Sequence, residues 1–288
     1  MHEIAKSPSQ TSEWMECPIK RMLNYKMGLK PRRISKGEIA AIGGRAFAKG
    51  METFYRSQIS SGPVASYTDI LQASLSEISL AKQHITDRGR DIPQWEQAYY
   101  ASIEGRVENA IKKYLANDPI TSNFTICDVE KVLPSHGNAR IDLGVRDDFG
   151  LAVVDFKFKL RLDAKYYDRE VLRYKNSWQQ YHYSWAYEED MCEPVRRYYI
   201  CLVVAEPRFS VKLHEYPIHP ETMEMWKQSA QRIWTQMEHE DQGLSQPWMA
   251  AEHETKYGPC PYQAACFTHR YDMNLMLKDD YVLDKEDS

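Results

Sequence analysis

What this sequence lacks narrows its reading quickly. Its 288 residues contain no apolar run approaching the roughly 20 residues of a membrane-spanning helix. "MHEIAKSPSQ" has none of the apolar stretch of a secretory signal, so a cytoplasmic protein with no membrane partner is expected. Excess positive charge is also missing. The 37 Lys and Arg stand against 41 Asp and Glu, a formal net charge of −4, which excludes a globally basic nucleic-acid binder. No internal repeat or low-complexity tract is present. The six cysteines (Cys17, Cys127, Cys192, Cys201, Cys260 and Cys266) lack an export signal beside them, so a disulfide framework is not expected. Cys127 and Cys201 sit in apolar, strand-like runs and read as core residues.

The chain divides by pattern. Residues 1–120 read as helical, with apolar residues at helical spacing in 8–28, 36–59, 66–85 and 92–118. Residues 124–133, 139–145 and 151–159 then read as three consecutive strands, with a turn at "DDFG", 147–150. A helix is expected over 167–190, strands over 196–206 and 209–218, and a helix with an N-terminal proline over 219–240. The fold class is therefore α/β, a central mixed sheet flanked by helices with a helical N-terminal half. Residues 121–270 form the sheet-bearing core and a cysteine-containing segment, and 271–288 form an acidic tail expected to be disordered. The basic stretch "LKPRRISKGE" (29–38) reads equally as a phosphate contact through Lys30, Arg32, Arg33 and Lys36 or as a solvated loop.

One strand carries charge where a sheet interior should not. In "VVDFKFK" (153–159), Val154, Phe156 and Phe158 share one face, and Asp155, Lys157 and Lys159 share the other. On the preceding strand Ile141, Leu143 and Val145 share a face, with Arg140 and Asp142 opposite. Closing the hairpin over 147–150 sets Arg146 against Leu151 and, in the same register, Asp142 against Asp155. Their Cβ atoms would then lie roughly 5 Å apart, and the two like charges would repel. A divalent cation reverses that effect, because hard cations favour carboxylate oxygens. Lys157 would stand ready for the charge of a phosphate or an attacking water. "DFK" alone reads more readily as a solvated hairpin face; the paired Asp142 and the apolar flanks weigh against that. Gln179 and Tyr183 in "WQQYHY" lie one helical turn apart and face one side. The stripe Tyr174, Trp178, Tyr181 and Trp185 reads as core, and His182 as a packed or surface residue.

Asp142, the D-x-K of Asp155 and Lys157, and the Q-x-x-x-Y of Gln179 and Tyr183 together resemble the PD-(D/E)XK nuclease superfamily, in its RecB-like exonuclease branch, which includes the CRISPR-adaptation nucleases. "SPSQTSEWMECPIKRMLNYKMGLKP" and "GGRAFAKGMETFY" look like that branch's first two helices, and "YGPCPYQAAC" looks like its cysteine motif. The resemblance implies a restriction-endonuclease-like core and hydrolysis of DNA phosphodiesters at a Mg²⁺ or Mn²⁺ site. Asp142, Asp155 and the backbone carbonyl of Phe156 would hold the ion, with Lys157, Gln179 and Tyr183 as catalytic and positioning residues.

Two departures stand out. The branch offers a histidine ligand four residues after a helix glycine. Here Gly44 is followed by Ala48, leaving Glu52, one turn further on, as either a substitute ligand or an exposed helical residue. Relatives with an iron–sulfur cluster use four cysteines. Cys17, Cys260 and Cys266 match three, but the fourth would fall at Tyr257, with only His253 and Glu254 nearby. An iron–sulfur cluster, a zinc ion and a metal-free packing motif all stay open. The leading reading is an exonuclease acting on single-stranded DNA or DNA ends in recombination, repair or replication. The alternatives are a CRISPR spacer-processing nuclease and, from another class, a catalytically inactive nucleic-acid-binding or inhibitor module.

Overall fold

Alternation of apolar side chains on both faces of the 139–161 hairpin requires a layer of helices on each side, and both layers are present. The computed structural model describes residues 7–247, 254–255, 258–267 and 273–283. The chain runs through α1 (Pro8–Glu16), α2 (Pro18–Arg21), a π-helical turn (Met22–Lys26), β1 (Leu29–Pro31), α3 (Lys36–Ile59), α4 (Tyr67–Asp87), α5 (Gln94–Ala101) and α6 (Ile103–Leu115). The sheet region follows: β2 (Thr125–Leu133), β3 (Ala139–Asp147), β4 (Gly150–Arg161), α7 (Tyr167–Lys175), α8 (Trp178–Met191), β5 (Val195–Glu206) and β6 (Ser210–Pro217). After α9 (Pro220–Asp241) come β7 (Glu254–Thr255), β8 (Gly258–Pro259), α10 (Gln263–Phe267), α11 (Met273–Asp279) and β9 (Tyr281–Leu283).

The main sheet has the order β2-β3-β4-β5-β6. Only β4 and β5 are parallel, joined by the crossover through α7 and α8. This is the mixed α/β sheet flanked by helices that the sequence indicated. On one face, Ile39, Phe47 and Met51 of α3 and Ile111 and Tyr114 of α6 pack with Leu143, Val154 and Cys201. On the other, Trp185 and Tyr187 of α8 and Trp226 and Trp234 of α9 pack with Ile141, Val153 and Ile200. Capping boxes at Ser35/Glu38 and Ser66/Asp69 fix the starts of α3 and α4 by satisfying amide donors the first helical turn cannot.

Several expectations are corrected. The first helix breaks at Cys17, whose extended φ and ψ of −167° and 111° precede Pro18. The 92–118 helix divides at Ser102, and the 167–190 helix divides at Asn176–Ser177. Cys127 is half-buried at a β-bulge rather than in the core, whereas Cys201 is fully buried. Ile141 packs on the α8 side while Leu143 and Val145 pack on the α3 side, so these three do not share one environment. The segment expected to be a disordered tail instead carries α11 and β9. β9 pairs antiparallel with β1, and Tyr281 is 1% exposed. Residues 284–288 lie outside the described residues.

The helix stripe resolves as core: Trp178, Tyr181 and Trp185 meet Trp226 of α9, with ring centroids 5.6–6.3 Å apart. His182 is buried among them, 5.5 Å from the Trp234 ring, with Nε2 3.2 Å from the His136 carbonyl oxygen. Burial pushes its pKa down to about 4; the His136 carbonyl resists that shift, and the His136 ring adds to it. Between about pH 4 and pH 6.5 the unfolded chain therefore binds a proton that the folded chain refuses. The contribution is complete above pH ~6.5 and is lost as pH falls towards 4, about 3 kcal/mol in all. His182→Leu should flatten the pH dependence of unfolding free energy in this window, as read by urea titrations at several pH values. An unchanged slope would refute this assignment. A second expectation concerns Gly144, where a Cβ would stand 2.1 Å from Tyr187 Oη and 2.3 Å from its Cζ. Tyr187 is held there by a 2.7 Å hydrogen bond to Asp128. Gly144→Ala should cost about 1–3 kcal/mol by overpacking and lower Tm by on the order of 5 °C. A melt superimposable on wild type would show that the ring yields freely.

Candidate active site

Strand β3 supplies Asp142 and strand β4 supplies Asp155 and Lys157. Their ladder pairs Arg146 with Leu151 and continues to Leu143 opposite Val154, the register inferred from the turn. One step further, Asp142 Oδ2 accepts a 2.6 Å hydrogen bond from the Phe156 backbone N–H. This clamps the carboxylate of one strand to the backbone of the next. The Phe156 ring points the other way, stacking on Tyr55 and meeting Phe47 and Tyr114 edge-on.

Asp155 is 2% exposed. Its Oδ2 lies 2.5 Å from Lys157 Nζ but accepts no well-formed hydrogen bond. Burial pushes the Asp155 carboxyl up, against the opposing pull of Lys157 and Tyr198. Asp142 is pushed well above the usual carboxylate range by burial, then by the charges of Asp155 and Glu130, with Lys157 and the Phe156 amide pulling it back. Lys157 in turn donates to Gln179 Oε1 at 2.8 Å and stands 5.8 Å from the centre of the Tyr174 ring. Gln179 occupies the first turn of α8, where Ser177 Oγ accepts from its backbone N–H at 3.2 Å. The division of the expected helix at Asn176–Ser177 is therefore what starts α8 at the site. Tyr183, one turn on, has its hydroxyl pushed up by burial and by Asp155 and Asp142, and it interacts with Gln179. All five residues, Asp142, Asp155, Lys157, Gln179 and Tyr183, thus meet on the α8 face of the sheet.

The other candidates fare differently. Glu52 is held by Lys49 at 2.7 Å and Arg56 at 2.9 Å. Partial burial opposes its ionisation, but those two hydrogen bonds outweigh it and hold the carboxyl below its ordinary value. Cys17, Cys260 and Cys266 share a small third cluster with Leu23, Leu29, Tyr262 and Tyr281, and the Cys260 thiol is pushed up by burial and by Cys17. His253 and Tyr257 lie outside the described residues. Among the described residues no three His, Cys, Asp or Glu side chains form a metal-holding group. The basic stretch is partly occupied: Lys30 donates to Asn24 at 2.6 Å, and Arg32 reaches the Leu277 carbonyl at 3.4 Å. Sequence reasoning missed Tyr198, which is 1% exposed and beside Asp155. It sits opposite Val153 in the parallel β4–β5 ladder, on the same face as Asp155 and two residues away along the strand. Only the offset of that parallel pair reveals it.

No curated protein matches this chain. Among solved structures, a candidate exonuclease from Eubacterium rectale is 10% identical, covering 94% of this chain and 89% of that one, with a TM-score of 0.46. The protein SSO0001 is 12% identical, covering 68% and 85%, with a TM-score of 0.24. Both likenesses are too distant to speak to function. The family model of the PD-(D/E)XK nuclease superfamily, by contrast, matches residues 5–267, a span that takes in Asp142, Asp155, Lys157, Gln179 and Tyr183. This chain belongs to the PD-(D/E)XK nuclease superfamily.

Proposed function

We propose that this protein is a metal-dependent deoxyribonuclease, an exonuclease that hydrolyses phosphodiester bonds at DNA ends. One observation carries the reading: half-buried Asp142 and buried Asp155 bring their carboxylates together from neighbouring strands, with Lys157 against one of them and Gln179 on the lysine. Two neighbouring acids, both raised by burial and Asp142 also by the charge of Asp155, form an all-oxygen donor set suited to Mg²⁺ or Mn²⁺. The Phe156 carbonyl, water and substrate oxygens would complete the shell, since hard cations keep several waters. A bound cation would generate a nucleophilic water and offset charge on the scissile phosphate. Lys157 contributes a fixed positive charge beside the reacting phosphate. Gln179 fixes the direction of that ammonium, which leaves it less freedom to turn into solvent. Tyr183, near enough to both aspartates to feel their charge, would limit water entry. For the cysteines we propose a structural role joining the first helices to the C-terminal segment.

Asp155→Asn removes one anionic ligand at nearly constant volume. It should abolish cleavage and leave the fold intact, or raise Tm in EDTA by relieving repulsion with Asp142. Lys157→Ala should lower kcat on the order of 10²-fold, as loss of a preorganised charge donor does. Gln179→Ala should cost less, because the lysine survives without its tether. The assay uses end-labelled linear and circular DNA, single- and double-stranded, with Mn²⁺ held constant. Degradation of linear but not circular DNA is expected. Wild-type turnover by Asp155→Asn would sink the nuclease reading; cleavage of circles would correct exonuclease to endonuclease. DNA binding without turnover by the wild type would favour the inactive binding module.

A further inference from the structure

Charge is distributed unevenly along this chain. Residues 157–175, from β4 through α7, hold seven Lys or Arg against three Asp or Glu, in a protein whose formal net charge is −4. Helix α7 turns Tyr167, Val171 and Tyr174 towards the core on the α8 face of the sheet. Its other side, with the turn before it, presents Lys165, Tyr166, Arg169, Leu172 and Arg173 to solvent. From Tyr166 onward these positions recur every three or four residues and so form one stripe. Tyr166 is 41% exposed and Leu172 54%. The acids do not neutralise the stripe. Glu170 is shared by Lys159, 2.5 Å away, and Arg173, 2.8 Å away. Among the described residues neither Lys165 nor Arg169 meets a carboxylate. Both rest on the Tyr166 ring, 4.7 and 5.0 Å from its centre. Arg169 and Arg173 lie one helical turn apart, where like charges repel, and Arg169 stands in the first turn, where the helix dipole disfavours a cation. An anion lying along the helix turns both costs into attraction. Tyr174 links the stripe to the catalytic lysine: its ring centre is 4.8 Å from the Arg173 guanidinium and 5.8 Å from the Lys157 ammonium.

We propose that α7 guides a single strand of DNA into the site, with phosphates on Arg169 and Arg173 and a base stacked on Tyr166. This rests on the deoxyribonuclease reading above and adds the strandedness of its substrate. The mixture of groups selects the occupant. A duplex offers phosphates but keeps its bases stacked inside, and would leave Tyr166 and Leu172 unused. A single strand offers a charged backbone and open base faces together, and cations interleaved with aromatic rings suit both. Lys165 lies over Tyr166 on a flexible stem. A base would take its place as the ammonium moves to a phosphate.

Binding of the full-length protein to a labelled oligothymidylate of about 20 nucleotides, in EDTA so that no cation supports cleavage, isolates this contact from catalysis. Fluorescence anisotropy at several salt concentrations would compare wild type, Arg169→Gln/Arg173→Gln, each single variant, Tyr166→Ala, and a control pair on other helices, Arg45→Gln/Lys112→Gln. All these positions are exposed, so melting temperatures should match across the set. The α7 pair should bind at least about tenfold more weakly and flatten the slope of log K against log salt by about 1.4, or about 0.7 for each phosphate lost. Each single variant should show about half that change in slope, which keeps the test should the pair not fold. Tyr166→Ala should cost about fivefold or more and leave the slope unchanged. Equal losses in the α7 and control pairs, or an unchanged slope in the α7 variants, would overturn the proposal. A blunt duplex bound as tightly as the single strand, with Tyr166→Ala like wild type, would overturn the single-strand assignment. Failure of the wild type to bind either DNA would remove the deoxyribonuclease reading itself, whereas cleavage by the wild type with undiminished binding by the α7 pair would sink only the guide.

Discussion

Two carboxylates on neighbouring strands, Asp142 half-buried and Asp155 nearly out of reach of water, are the constraint around which this molecule is arranged. If both were ionised about 5 Å apart, their repulsion would be about 3 kcal/mol at an effective dielectric constant near 20. Burial adds a penalty for each charge. The protein lowers the cost without removing it. Asp142 takes the Phe156 amide hydrogen, Asp155 takes the Lys157 ammonium, and both carboxyls are still raised above their ordinary values. A pair with no functional use would gain by becoming apolar, because a buried ion pair of this kind is often no more stable than a well-packed hydrophobic substitute. Retention of two acids and a lysine at the centre of the sheet is explicable if the site is built to receive positive charge.

Positioning of those groups depends on α8. Gln179 reaches Lys157 only because the helix begins at Trp178, after Ser177 caps it. Close approach of α8 to the sheet depends in turn on Gly144, which leaves room for the Tyr187 ring. A side chain there would lift the helix and carry Gln179 and Tyr183 away from the aspartates. Behind α8, Trp226 and Trp234 of α9 meet Trp185, and Trp185 and Trp234 stack 5.7 Å apart at an interplanar angle of 7°. Rigid aromatic packing on one side of the helix therefore fixes polar side chains on the other, as a preorganised site requires.

Much of this was legible from residues. The alternation in 151–159 and the four-residue turn at 147–150 determine which side chains of β4 face α8 and the pairing of β3 with β4. Cap residues and apolar spacing gave α3 and α9 to within a residue or two of their ends. Helix breaks at Cys17, Ser102 and Ser177 escaped detection because apolar periodicity runs across them; only backbone geometry marks the interruption. Tyr198 escaped for another reason. Its nearness to Asp155 depends on a parallel register, which does not follow from local pattern. The acidic end of the chain misled through composition, since its charge concealed Tyr281, which anchors β9 against β1.

That closure bears on the active site through a chain of contacts. The first helices are tied to α9 by polar bonds across more than 200 residues: Trp234 Nε1 donates to Thr11 at 3.0 Å, Trp14 Nε1 to Glu240 at 2.8 Å, and Arg21 grips both oxygens of Asp241 at 2.9 and 2.7 Å. Arg21 is 5% exposed, so this bidentate pair is partly shielded from water and stronger than a surface pair of equal length. Helix α9 carries the tryptophans that hold α8 against the sheet. The N-terminal helices thus act as a brace on the element that aims Gln179 and Tyr183. The cysteine cluster, where Cys17 joins Cys260 and Cys266 around Leu29 and Tyr281, extends that brace to β1 and β9. The thiols lie in a cluster separate from the two that flank the sheet. A change there would reach the α8 face of the sheet through the position of α9 and α8, as lost rigidity of Gln179 rather than as a change at Asp142 and Asp155.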